Sequence, residues 1–172
     1  MATGTTRGAS ENLLGVYLND HLAGATTGMC LVRRMAASAK PGTERATALN
    51  SLVTEITEDR SALLKIMASL GIPVRGYKVF AAWAGEKAGR LKLNGRLLTR
   101  SPLSDLEEAE ILRLGVEGKA GGWRTLRTLA ERDRRLDAGR LDELIARADD
   151  QSRRLEALRS STAERVFASD AS

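Results

Sequence analysis

Along this chain Leu, Ala, Val, Ile and Met recur at intervals of three and four, the spacing of one face of an α-helix. Leu14, Leu18, Leu22, Ala25, Met29, Val32 and Ala36 form a first stripe. It predicts a helix from about Ser10 to Ala39, broken by Pro41-Gly42. Leu49, Leu52, Val53, Ile56, Leu63, Ile66, Met67 and Leu70 form a second. That helix runs from about Thr43 to Leu70, and Gly71 with Pro73 ends it. A third helix is expected from Ser101-Pro102 or Ser104 to about Arg134. Pro102 suits a first turn, and Ser104 with Glu107 suits a capping box. Asp137 is placed to cap a fourth helix reaching about Phe167, with Leu141, Leu144, Ile145, Ala148, Leu155, Leu158 and Val166 as its stripe.

The link between the first two helices is short, which makes them an antiparallel pair. The stretch from Gly71 to Ser101 is long, and Val79, Phe80, Trp83 and Leu91 in it predict a short helix from Tyr77 to Leu93. A helix of ~25 residues is about 37 Å long, so a connection of this length can return along it. The fold class expected is therefore all-α: a four-helix bundle of two hairpins joined by a long crossover that carries a short helix. Residues 1–9 read as a disordered tail, 10–167 as one domain and 168–172 as a frayed end.

The helix order resembles the ferritin-like superfamily. The segments Leu13-Leu14-Gly15-Val16-Tyr17-Leu18-Asn19-Asp20-His21-Leu22 and Leu91-Lys92-Leu93-Asn94-Gly95-Arg96-Leu97-Leu98 also look like those of uncharacterised bacterial four-helix-bundle proteins. The first resemblance implies a search for a di-iron centre, which needs a Glu from each of two helices and a Glu-x-x-His from each of the others. His21 is the single histidine, and no Glu-x-x-His occurs. Glu55-x-x-Glu58 is the nearest relic on the second helix, and Asp149-x-x-Ser152 or Asp150-x-x-Arg153 on the fourth.

Several polar residues nevertheless fall on inward faces. They are His21, Asp59, Arg60 and Arg113, with Glu117 on the flank, then Gln151, Ser152 and Arg159. Antiparallel pairing brings His21, Asp59, Arg113, Glu117, Ser152 and Arg159 to similar heights. One use of such a layer is a pocket in which His21, Asp59 and Glu117 hold iron or manganese, with Glu55 or Asp149 at its edge. The other is a buried ion-pair layer of His21, Asp59, Arg60, Arg113, Ser152 and Arg159, with Asp59 or Glu117 meeting Arg113 or Arg60. Guanidiniums repel a divalent cation and neutralise the carboxylates directly, which favours the second use, without cofactor.

Charge adds one candidate. Between Arg75 and Arg100 stand seven basic residues and one acid, so this stretch holds +6 of a net +5. Lys87, Arg90, Lys92, Arg96 and Arg100 form a candidate anion-binding set for a polyanion, an anionic surface or an acidic protein, with Trp83 and Tyr77 as stacking partners. The rival account is a solvated basic face. Gly85-Glu86-Lys87-Ala88-Gly89-Arg90 and the glycines at 115, 118, 121 and 122 satisfy no nucleotide fingerprint. Gly115, Gly118 and Gly122 suit close helix contact. Cys30, the single cysteine, reads as a small core residue and permits no intramolecular disulfide. No apolar run approaches the length of a membrane span. These features together favour a cytoplasmic, non-catalytic helical protein that acts through binding or assembly as a homo-oligomer, a dimer foremost. The alternative is a metal-dependent oxidoreductase centred on His21, Asp59 and Glu117.

Overall fold

The computed structural model describes residues 4–75 and 102–168. Four helices account for nearly all of them: α1 (Gly4–Ser38), α2 (Glu44–Ser69), α3 (Pro102–Ala130) and α4 (Ala138–Ala168). No described residue lies in a strand, so the all-α four-helix bundle stands. The expected short helix Tyr77–Leu93 lies outside the described residues.

Local chemistry explains the ends. Thr43 caps α2, its Oγ1 accepting from the Ala46 amide at 3.2 Å. At the other end Gly71 takes φ +69°, where a side chain would be strained. The Ile72 amide then reaches back to the Met67 carbonyl at 2.9 Å and the Gly71 amide to Ala68 at 3.0 Å. This pairing satisfies carbonyls that the helix leaves open. Asp137 caps α4, accepting from the Arg140 amide at 3.0 Å.

Two boundaries differ from expectation. α1 starts at Gly4, six residues before the expected start at Ser10. α3 starts at Pro102, so Ser104 sits in the first turn instead of capping it, and it ends four residues before Arg134. There Asp133 accepts from the backbone amide of Arg135 at 3.0 Å, a local bond that competes with the helix.

Cross-helix contacts fix the arrangement. Tyr17 meets Thr125 at 3.1 Å and Arg34 meets Glu108 at 3.0 Å, so α1 runs antiparallel to α3. Arg45 donates to Thr162 at 2.9 Å and Arg147 to Glu58 at 2.8 Å, so α2 runs antiparallel to α4. Arg45 also reaches Asp105 at 3.5 Å, which puts the starts of α2 and α3 at one end of the bundle. Leu18, Leu22, Val32, Leu49, Leu52, Ile56, Leu63, Leu112, Val116, Leu126, Leu144 and Leu155 fill the interior. The expected stripes hold, with Leu31 and Met35 joining the first. Cys30 is exposed, not part of the core, because it lies a third of a turn beyond Met29, off the buried stripe. No described helix is long and apolar enough to cross a membrane.

Candidate functional site: a charged layer beside an apolar cavity

Each of three helices places one polar residue in its apolar stripe at mid-height. On α2, Asp59 follows Leu52 and Ile56 and precedes Leu63. On α3, Lys119 follows Leu112 and Val116 and precedes Trp123. On α4, Gln151 follows Leu144 and Ala148 and precedes Leu155. The interval is helical in every case, so all three point inward. Asp59 is 2% exposed and Gln151 fully buried.

They bond to one another. The Lys119 ammonium lies 2.5 Å from Asp59 Oδ2 and donates also to Gln151 Oε1. Gln151 Nε2 donates to Asp59 Oδ2 and to Glu55 Oε2, each at 3.1 Å. Arg147 closes on the other Asp59 oxygen and on Glu58. Arg154 pairs with Glu55 and with Asp150. Each charged group of the layer thus meets an opposite charge. Burial pushes the Lys119 ammonium below its ordinary value, against the pull of Asp59. Burial raises Glu55, but hydrogen bonds from Arg154, Ser51 and Gln151 together hold it below the usual carboxylate range.

This layer differs from the expected one. Arg113 does not pair with Asp59; it meets Glu156 at 3.2 Å. Arg113 stands about six residues, nearly two turns, from Lys119 on α3, and the antiparallel register gives Asp59 the lysine. Arg159 bonds Glu156 on its own helix at 2.7 Å and stays half-buried. Arg60 is half-buried too and donates to Thr26 at 3.0 Å. Ser152 is buried, as expected, and donates to Glu117. His21 faces α3 and not the layer. Arg147 and Arg154, which pair with Glu58 and Glu55, are half-buried between α2 and α4.

His21, Asp59 and Glu117 are not gathered. Glu117 turns to Ser152, and His21 Nδ1 lies 3.0 Å from the Tyr17 carbonyl. Among the described residues no group of three His, Cys, Asp or Glu could hold a metal ion. The ammonium of Lys119 occupies the centre of the bundle, where a cation would meet repulsion from it and from Arg147. The anion-binding set Lys87, Arg90, Lys92, Arg96 and Arg100 lies outside the described residues. Arg75, at its edge, is described and bonds Asn12 at 2.8 Å.

Beside the layer, between α1 and α3, lies a cavity of about 380 Å³. Leu18, Leu31, Ile56, Leu63, Val116 and Leu126 are among the side chains that line it, and Asp59 and Lys119 stand at its polar edge. Glycines make it. A side-chain carbon at Gly24, Gly115 or Gly118 would meet nothing within 4 Å. Gly122 differs: a Cβ there would stand 2.6 Å from His21 Cδ2, so the imidazole lies where only glycine leaves room. Tyr17 flanks that imidazole, with ring centroids 4.3 Å apart. Trp123, also on the lining, is 3% exposed, and its indole N–H has no acceptor among the described residues.

No family model, curated protein or solved structure matches this chain significantly.

The layer and cavity therefore carry the chemistry. Gln151 was legible as an inward residue. Lys119 was missed, although the gap it leaves between Val116 and Trp123 is the same signal that revealed Asp59.

Proposed function

We propose that this protein is a non-catalytic helical bundle of ferritin-like arrangement that binds a small apolar molecule between α1 and α3. The cavity is the observation that carries this reading. Its volume falls in the range of small-molecule pockets, and its wall is apolar with a few polar groups, as such pockets are. The neighbouring layer supports a scaffold role, because its acids and bases are engaged with one another and fix helix register. The glycines support it too. Five in the cavity wall, Gly24, Gly28, Gly115, Gly118 and Gly122, weaken helices α1 and α3 by about 1 kcal/mol each relative to alanine, a cost that close packing does not explain at Gly24, Gly115 and Gly118.

Fluorescence of the neutral probe N-phenyl-1-naphthylamine tests the reading. The protein is expected to raise its emission saturably at one site. Gly118→Leu, which projects a side chain into the space, should abolish the rise while the helix keeps or gains stability. No saturable rise, or a rise unchanged in Gly118→Leu, would refute the proposal.

A further inference from the structure

We infer that a second copy of this chain docks on the outer face of α3, the two α3 helices running antiparallel and crossing at Gly118 and Gly121. Such pairing goes beyond the ligand reading and stands or falls separately from it.

Exposed apolar surface is concentrated on this helix. Among the described residues eight large apolar side chains are exposed, and four of them, Leu103, Ile111, Leu114 and Leu129, belong to α3. By contrast α2 has none and α4 only Phe167. Leu114 stands 72% exposed in the middle of the helix. Single surface leucines need no explanation, but these follow a pattern. Ile111, Leu114, Gly118, Gly121, Thr125 and Thr128 succeed one another at alternating intervals of three and four, the spacing of a coiled-coil seam. Gly121 is half-buried and the other five are exposed. An antiparallel copy centred between Lys119 and Ala120 sets Gly118 opposite Gly121 of the second copy, Leu114 opposite its Thr125 and Ile111 opposite its Thr128. A two-fold axis repeats each contact, as a self-complementary interface requires. The rims are charged, and they match. Glu107, one interval before Ile111, falls opposite Arg132 of the second copy, and the same pair recurs at the other end. A parallel copy would set Glu107 against Glu107 and Arg132 against Arg132, which is repulsive. Gly121 singles out a helix as the occupant. A Cβ there would meet nothing within 4 Å, and Gly121 does not line the cavity. Neither packing within the chain nor the cavity therefore accounts for the helix stability it forfeits relative to alanine. Close approach of two backbones at one crossing does account for it, since only glycine leaves them room.

Sedimentation equilibrium of the full chain, 18.6 kDa as a monomer, tests this. A dimer is expected at micromolar concentration. Gly121→Leu puts a side chain at the crossing, leaves the cavity wall alone and favours the helix. It should raise the dimer dissociation constant about tenfold or more, the scale of a central interface residue, with helix content by circular dichroism unchanged. Leu114→Asp, on an exposed position, should do the same. Glu107→Arg should weaken the dimer severalfold, and Glu107→Arg combined with Arg132→Glu should restore it. A chain that stays monomeric throughout the micromolar range would overturn the inference. So would a dimer indifferent to both Gly121→Leu and Leu114→Asp, since another face would then hold it. A dimer that those two variants disrupt, but that the paired charge exchange fails to restore, would overturn the antiparallel register.

Discussion

The two seams that join one hairpin to the other, α2 with α4 and α1 with α3, solve the same packing problem in opposite ways. Between α2 and α4 the contact is made by long charged side chains: Arg45 to Thr162, Arg154 to Glu55, Arg147 to Glu58 and Asp59. Between α1 and α3, where Tyr17–Thr125 and Arg34–Glu108 hold the flanks, the middle is lined by glycine, leucine and one imidazole, with a cavity left open along it. A seam of arginines and carboxylates is specific, since each charge needs its own partner, but adds little stability for the surface it covers. A glycine seam lets helices approach or leaves room, and its stability depends on what fills the room. Register is therefore set on one side of the molecule and space is reserved on the other. Lys119 joins them, since it lines the cavity and ends in the charged layer.

The sharpest way to break this comparison is at Asp59. Asp59→Ala leaves Lys119 without its carboxylate and Arg147 with Glu58 alone, and should lower unfolding free energy by about 3 kcal/mol or more. Urea denaturation measures it. A double-mutant cycle should find coupling between Asp59 and Lys119 and additivity between Asp59 and Arg113. Coupling to Arg113 would mean that the register described for α3 is wrong.

The glycine seam has its own test. Gly122→Ala pushes a methyl into the imidazole of His21 and should cost about 1–3 kcal/mol, the range of overpacked cores. His21→Ala in the same chain should recover most of that loss. If Gly122→Ala were harmless alone, the close contact would not exist in solution. Gly118→Ala, facing open space, should go the other way and stabilise by up to about 1 kcal/mol. The two alanines, four residues apart on one helix, would then report the narrow and the roomy parts of a single seam.

The smallest effect concerns acid. Glu55 is held below the usual carboxylate range, and Glu156 falls to about 2, chiefly through its hydrogen bond from Arg159, with the charges of Arg159 and Arg113 assisting. A carboxyl depressed in the folded state contributes stability above its unfolded value of about 4.5, lost as pH falls through the folded value. The urea midpoint should therefore decline as pH drops from about 5 towards 2. Glu55→Gln should make that decline shallower, and Glu156→Gln less so, since Glu156 sits at the surface. An identical slope in Glu55→Gln would show that the Arg154 pair does not persist.

Much of the fold was readable because helical periodicity is a local property. Leu18, Leu52, Leu144 and their neighbours announce buried faces without knowledge of what they pack against, and Pro41-Gly42 and Gly71 mark the turns. The layer was half readable. Asp59, Ser152 and Gln151 stand in apolar stripes, so their burial follows from spacing. Pairing does not follow, because it depends on the axial offset between helices, and an error of two turns exchanges Lys119 for Arg113. The cavity was not readable at all. The facing of Gly115, Gly118 and Gly122 on one side suggested close contact, yet only Gly122 makes it. Whether a glycine admits a neighbour or leaves a hole is decided by the other helix.

Arg135 adds something about how the chain comes together. It reaches from the turn between α3 and α4 to the carbonyl of Leu70, just past the end of α2, at 3.2 Å, braced by Asp133 on the same turn. At the far end Arg45 ties the start of α2 to Asp105 and Thr162. The α3–α4 hairpin is joined by a short turn and makes its contacts locally, so it can close early, whereas contacts between the hairpins join residues much farther apart in sequence and form later. The two arginine clasps are among those late-formed contacts, one at each end. Their loss should accelerate unfolding and leave the refolding rate nearly untouched, the kinetic signature of contacts made after the barrier has been crossed.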